Sequence, residues 1–361
     1  MKGIFYSMLV AAALSSCTDT ETDVQPDEGG ETALTINRLG LSVDTKAVYD
    51  GIGKDGDLNK LGAIGVLVTK GSPKTYYSSA LDVQVFTYDG TNWLPDLTLN
   101  MANAVGTVYA WAPTDNEGVL TGTPKMPVLK GPVILADQTF NAGNEWDTDQ
   151  VDFLYGSAAA TVGDETHPEV DKWEHTVSNL YMQHALAKVS FRIMKAEDQT
   201  VNEDDFVKKI ELSSENSAFV VTPRSVSKVT MSLENGTFAG TTTGKTITLT
   251  AGTAEQVANW IGTSHTADFS GVAAQAYGLV APAMVGKVSL ILTLGPDGGL
   301  DSTTDRTYQT KADDSSLASV SWQKGRHYIY TLTASDQGLV VTNVSVVGWD
   351  ESVPPVNVPV E

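Results

Sequence analysis

The stretch Val177-Ser-Asn-Leu-Tyr-Met-Gln-His-Ala-Leu-Ala-Lys-Val-Ser-Phe-Arg-Ile-Met194 lies near the midpoint of 361 residues and carries two alternations that are out of step. Leu180, Met182, His184 and Leu186 share one parity, while Val189, Phe191 and Ile193 share the other. Period-2 alternation marks a half-buried strand, and a slip of one residue sends every side chain to the opposite face. The phase change near Ala187 therefore reads in one of two ways. Either a single strand bends through a bulge, or a strand leaves one hydrophobic core and enters a second. The central position in the chain favours the second.

Outward from this stretch, strand-like runs recur on both sides without helices between them. Upstream they cover residues 61–69, 81–88, 105–111, 128–135 and 151–155. Downstream they cover 206–212, 217–220, 226–233, 245–250, 274–279, 287–294, 306–310, 327–333 and 339–349. Asp89-Gly90 and Asn235-Gly236 are hairpin turns by type, and Trp93-Leu94-Pro95 reads as a returning edge segment because proline has no ladder donor. One short helix is expected over 253–260. Residues 113–127, rich in Pro and Gly, read as a long connection. The composition agrees: 41% hydrophobic residues, 32 glycines, 14 prolines and 12 tyrosines are the material of strands and turns. The length predicts two domains, since single cores seldom grow past about 250–300 residues. The expectation is an all-β chain of antiparallel sandwich packing, divided into residues 33–182 and 183–361.

Near the amino terminus, Leu34 and Ile36 alternate on one parity and Leu39, Leu41 and Val43 on the other, with Arg38 at the join. This predicts a first strand broken in its middle. Before it, Met1-Lys2 and the apolar run 4–14 suit a signal peptide, residues 1–16, and are too short for a mature membrane span. The run ends in Leu14-Ser15-Ser16-Cys17, which resembles the lipobox of bacterial lipoproteins, in which Cys17 would be acylated. Cys17 is the only cysteine, so no disulfide can form within the chain. Residues 17–32 are acidic and nearly free of large apolar groups, which predicts a flexible tether.

A formal charge of -21 argues against nucleic acid as a partner. Gly240-Thr-Thr-Thr-Gly244-Lys245-Thr246 is one residue short of a phosphate loop and is followed by a β-type run where a helix is needed. Asp55, Asp57 and Asn59 begin like a calcium loop, but Lys60 and Val66 occupy positions where glycine and glutamate are required. Asp147, Asp149 and Asp152 are close enough in sequence to share a cation, although acids in turns are more often plain acidic surface. The five histidines have no zinc spacing, and His184, on an apolar parity, reads as a core imidazole. Tyr109, Trp111, Trp146 and Trp173 read as packing residues before they read as a sugar platform. No catalytic set, cofactor or metal is expected, and the chain is not expected to be an enzyme.

Thr45-Lys46-Ala47, Val108-Tyr-Ala-Trp-Ala-Pro113, Val151-Asp-Phe-Leu-Tyr-Gly156, His184-Ala-Leu-Ala-Lys-Val189, Trp322-x-x-Gly325-Arg326-x-Tyr328-x-Tyr330 and Val346-Val-Gly-Trp349, behind the lipobox, follow one another in an order that resembles the Bacteroidales fimbrillin family. These are the FimA/Mfa-like subunits of type V pili. The resemblance implies a pair of transthyretin-like β-sandwiches and export as an outer-membrane lipoprotein. It also implies surface assembly after an arginine-specific protease removes the tether and first strand. Processing is then expected at Arg38, with Lys46 the alternative. A cut there would leave a sheet edge and apolar groove for a strand from another subunit, joined head to tail. The expected donor run is 339–349, with Val341, Val344, Val346 and Trp349 as its side chains, extended through Val356, Val358 and Val360. The competing reading makes this run the last strand of its own domain. For function, the alternative to a fimbrial subunit is a tip adhesin or a non-polymerising surface lipoprotein that captures a host or bacterial surface ligand, glycan or protein.

Overall fold

The strand over Leu180–His184 pairs antiparallel with Leu154–Ser157, bends at Ala185 and Leu186, and continues as a second strand over Ala187–Lys195 in a different sheet. There it runs antiparallel to Ala276–Val280 and parallel to Arg326–Ser335. This is seen in a computed structural model, which describes residues 32–41, 61–78, 83–114, 118–123, 125–141, 144–161, 163–196, 205–221, 229–240, 244–252, 274, 276–296, 303–311 and 320–349. The phase change is a passage between two bodies of apolar side chains. One body gathers buried residues from Leu34 to Met182, and the other takes the chain from Ala185 onward, including Val189, Phe191 and Ile193, together with earlier residues such as Tyr109, Trp111 and Tyr155. Each alternation is correct for the core it faces, which is why the two are out of step.

All described elements are strands, arranged in several sheets. The sheets are mixed, which corrects the antiparallel expectation. Parallel ladders join 35–36 to 176–177, 137–140 to 248–251 and 188–195 to 327–334, in each case segments distant in sequence. Only such distant segments can pair parallel, because a tight turn reverses the chain.

In the first body the order is Thr176–Val177, Thr35–Ile36, Trp93–Pro95, Val83–Tyr88, Ala63–Lys70, Gly106–Ala112, Leu154–Ser157, Leu180–His184 and Leu39–Leu41. The two ends of that order are joined through the chain itself, since 35–36 leads into 39–41 and 176–177 leads into 180–184. The sheet thus folds over on itself around its core, with both segments turning the same corner. At Gly65 a side chain would meet the indole of Trp111 at 2.2 Å, so the ring lies directly across that strand.

The run 113–127 is not a bare connection. Gly118–Thr121 is a strand paired with Met126–Lys130, which continues onto Thr230–Ser232. Asp137–Asn141 likewise joins Thr246–Ala251. Leu129 and Phe140 consequently belong to the second apolar cluster although they precede the midpoint. The expected helix over 253–260 lies outside the described residues.

The face of the second sheet that carries Lys188 and Ser190 is polar and buried. Ser190 Oγ is hydrogen-bonded to His327 Nε2 at 2.6 Å. Burial first, and then the positive charges of Lys188 and Arg192, hold the imidazole well below its usual pKa. A lowered folded pKa means that the unfolded chain takes up the proton first. Stability is therefore expected to fall as pH drops below about 6.5, the unperturbed histidine value. Urea unfolding at neutral and mildly acidic pH should show this loss, reduced in His327→Gln.

Candidate functional site: an amino-terminal segment seated in the first core

Residues 32–38 are built into the first core although few strands hold them. Thr32–Ala33 pairs with Asn100–Met101. Ile36 faces Trp93 on one side, and Thr35–Ile36 runs parallel to Thr176–Val177 on the other. Beyond those ladders, further backbone hydrogen bonds fasten the segment, with Leu34 N–H donating to Leu99 O at 2.8 Å, Thr35 N–H to His175 O at 3.0 Å and Asn37 N–H to Val177 O at 3.0 Å. Leu34 and Ile36 are each 1% exposed and pack in one cluster with Trp93, Leu99, Met101 and Val177. Tyr77 belongs to the same cluster. Its hydroxyl donates to Ala104 O at 2.6 Å and accepts from Ala102 N–H at 2.9 Å, and burial raises its pKa so that it stays a neutral donor.

Arg38 sits at the corner with its side chain exposed, beside exposed Asn37. Its carbonyl accepts from Leu180 N–H at 2.9 Å, and Leu39–Leu41 then continues parallel to Leu180–Met182. The pairing keeps a constant register through the corner, with Ile36 against Val177 and Leu39 against Leu180. A signal for this was present in the sequence. Ile36-Asn-Arg-Leu39 and Val177-Ser-Asn-Leu180 both place two polar residues between apolar ones, and those polar residues are exposed at the bend. A break after Arg38 would leave 39–41 paired and release only 32–38. The carbonyls of Leu99, His175 and Val177 and the pockets of Leu34 and Ile36 would then be open.

The strength of that seating can be checked through Ile36→Ala. Removing a fully buried isoleucine side chain costs about 2–5 kcal/mol. Since it lies in the segment itself, the expected readout is faster proteolysis at Arg38, measured by gel under native conditions. An unchanged rate would show that the segment does not have to open for cleavage.

The expected donor run is the strand Gly338–Gly348, hairpin-paired with Arg326–Ser335 from Ser335 against Gly338 to Arg326 against Gly348. Val341 and Trp349 are buried, and Val344 and Val346 pack half-buried on the second cluster. Trp349 is stacked on His184, with ring centres 4.1 Å apart and planes 10° apart. His184 Nδ1 lies 2.6 Å from Asp152 Oδ2, and both side chains are fully buried. The end of the last strand is thereby clamped to the turn between the two cores.

The remaining candidates do not converge. Cys17, Lys46 and Asp55–Lys60 lie outside the described residues, as do the side chains of Trp146 and Asp147. Asp149 is exposed and accepts from Thr139 N–H, far in character from buried Asp152. Among the described residues no group of three or more His, Cys, Asp or Glu is placed to hold a metal ion. After Gly244 the chain enters the strand Thr246–Ala251, with no helix terminus to face a phosphate. Tyr109 and Trp111 are core residues, but Trp173 is 54% exposed with Lys172 over its ring, against the packing expectation.

The sequence profile described as fimbrillin-like matches residues 45–349, most of the chain. The chain belongs to this family. Among the solved structures that share the fold of this fimbrillin-like chain are two from Bacteroides. One is a fimbrial protein from Bacteroides vulgatus ATCC 8482, 14% identical, covering 88% of this chain and 99% of that one with a TM-score of 0.53. The other, a candidate cell adhesion protein from Bacteroides uniformis ATCC 8492, is 16% identical over 88% of this chain and 99% of that one, with a TM-score of 0.50. No curated protein matches the fimbrillin-like chain.

Proposed function

We propose that this protein is a structural subunit of a cell-surface fimbria that polymerises by strand exchange once its amino-terminal segment has been removed. In this reading residues 1–16 are a signal peptide, Cys17 carries the lipid that holds the precursor on the outer membrane, and 17–32 form the tether. Two transthyretin-like sandwiches, 33–182 and 183–361, form the body. An arginine-specific protease cuts after Arg38, and Lys46 is passed over. The observation that carries the reading is that Leu34 and Ile36 fill the first core from a segment ending at an exposed arginine. Membership in the fimbrillin-like family and the fold shared with a fimbrial protein support it. Amino-terminal sequencing of protein extracted from the cell surface should begin at Leu39. A start elsewhere removes Arg38 as the processing site.

The donor is the carboxy-terminal run of a neighbouring copy, and magnitudes decide which part enters the slot. The slot offers the pockets of two side chains, roughly 3–6 kcal/mol of apolar burial. Peeling 339–349 from its hairpin would forfeit as much for Val341 and Trp349 alone, and more for Val344, Val346 and the ladder. Val341, Val344, Val346 and Trp349 therefore anchor the donor on its own subunit. The reaching side chains are Val356, Val358 and Val360, which alternate as Leu34 and Ile36 do.

The seated hairpin also favours a second reading, a tip adhesin or non-polymerising lipoprotein that captures a glycan or host protein. An aromatic row over Trp93 and Trp173 would support it. Trp93 is 2% exposed beneath the removable segment, which favours the subunit reading.

A further inference from the structure

A cavity of about 520 Å³ opens beside the end of the last strand, with Phe238, Pro282, Trp322, Lys324 and Arg326 in its walls. A second, of about 340 Å³, shares Phe238 and Pro282 with the first and is lined beyond them by small residues such as Ala218 and Ala283. Together they form a two-part cleft with an aromatic and proline divide. Lys324 is engaged by Glu165 at 2.5 Å. Arg326 is exposed and makes no ion pair among the described residues, a free cation in a chain of net charge -21. Arg326 is also the register partner of Gly348. The chain beyond Trp349 therefore starts next to it.

That remaining chain is Asp350-Glu-Ser-Val-Pro-Pro-Val-Asn-Val-Pro-Val-Glu361, outside the described residues. Its order matches the cleft. Two acids come first, where the free guanidinium lies, and Val353-Pro354-Pro355-Val356 follows, where the aromatic and proline walls lie. Proline-rich segments favour an extended left-handed helix without internal hydrogen bonds, and aromatic-lined grooves bind that shape at low entropic cost. Twelve residues reach up to about 40 Å when extended, so length does not limit the contact.

We propose that the tail 350–361 docks in this cleft of its own subunit before assembly. Asp350 and Glu351 pair with Arg326, and the Pro/Val run lies on half-buried Phe238 and Pro282. The cleft then stores the donor until an opened slot on a neighbour competes for it. The storage role rests on the reading of the tail as donor, whereas the docking itself is testable without polymerisation.

The test uses the full chain with its leading segment in place, so that the slot is filled. A nitroxide is attached at Val356→Cys in a Cys17→Ser background, and relaxation enhancement of backbone amides is read by nuclear magnetic resonance. Broadening is expected at Thr237, Phe238 and Gln323. It should be lost in Arg326→Glu and regained when Arg326→Glu is combined with Asp350→Lys and Glu351→Lys. No broadening in the parent, or broadening indifferent to Arg326→Glu, overturns the docking. Filament formation after cleavage at Arg38 reports separately on the donor reading, so the two can fail independently.

Discussion

Filaments should form when the full chain is incubated with an arginine-specific protease, and Arg38→Gln should form none under the same conditions. In the uncut chain Leu34 and Ile36 close the slot from the same molecule, and a tethered segment acts at an effective concentration near the millimolar range. A neighbour's strand at micromolar concentration cannot displace a competitor of similar affinity held that way. Cleavage after Arg38 leaves 32–38 attached by short ladders, a few further backbone hydrogen bonds and roughly 3–6 kcal/mol of apolar burial, and dilution then favours its loss. The contact that replaces it joins two different surfaces, tail to slot. It is therefore heterologous and propagates as a fibre instead of closing a dimer. Electron microscopy reads the outcome. Filaments from Arg38→Gln, or a wild-type chain cut at Arg38 that stays monomeric, would sink the mechanism.

The second large effect concerns the other end of the chain. Deleting Asp350–Glu361 should abolish filaments after cleavage and lower the thermal midpoint by no more than the docked tail contributes, because Trp349 and the hairpin stay in place. Deleting from Leu339 should instead unfold the second body, since it removes the ladder to 326–335 and the buried side chains of Leu339, Val341 and Trp349. A staple separates tail donation from peeling. Thr333 and Val340 face each other across the hairpin, and directly opposed residues of an antiparallel pair are close enough for a disulfide. Oxidised Thr333→Cys/Val340→Cys is expected to polymerise as freely as the reduced form. If oxidation blocks assembly, the hairpin must peel, and Val341, Val344, Val346 and Trp349 are themselves the donor side chains.

Much of this site could be read before the structure. The parity change across Arg38 marked a break in the first strand, and the break is the corner where two paired segments cross from one side of the first core to the other. The matching Val177-Ser-Asn-Leu180 carries the same signal at the start of the central strand. Pairing of the two was not legible, because 141 positions separate partners such as Ile36 and Val177. The same limit hid the strands at 118–121 and 137–141. Both are short, with weak alternation, and take their place from partners near 230 and 248. The His184 imidazole was legible as a core residue, but its clamp on Trp349 was not, since nothing local ties position 184 to the chain's far end.

By itself the sequence determined that the chain is a set of strands, that the apolar alternation changes phase near residue 187, and that an arginine interrupts the first strand. Those are properties of residue type and period, which local sterics and burial impose wherever the segment lies. Only the tertiary structure decided that Leu34 and Ile36 are seated, that the last strand is clamped while the chain beyond it begins beside Arg326, and that the sheets are mixed. These depend on which distant edges meet, and a backbone edge offers the same donors and acceptors to every strand that approaches it.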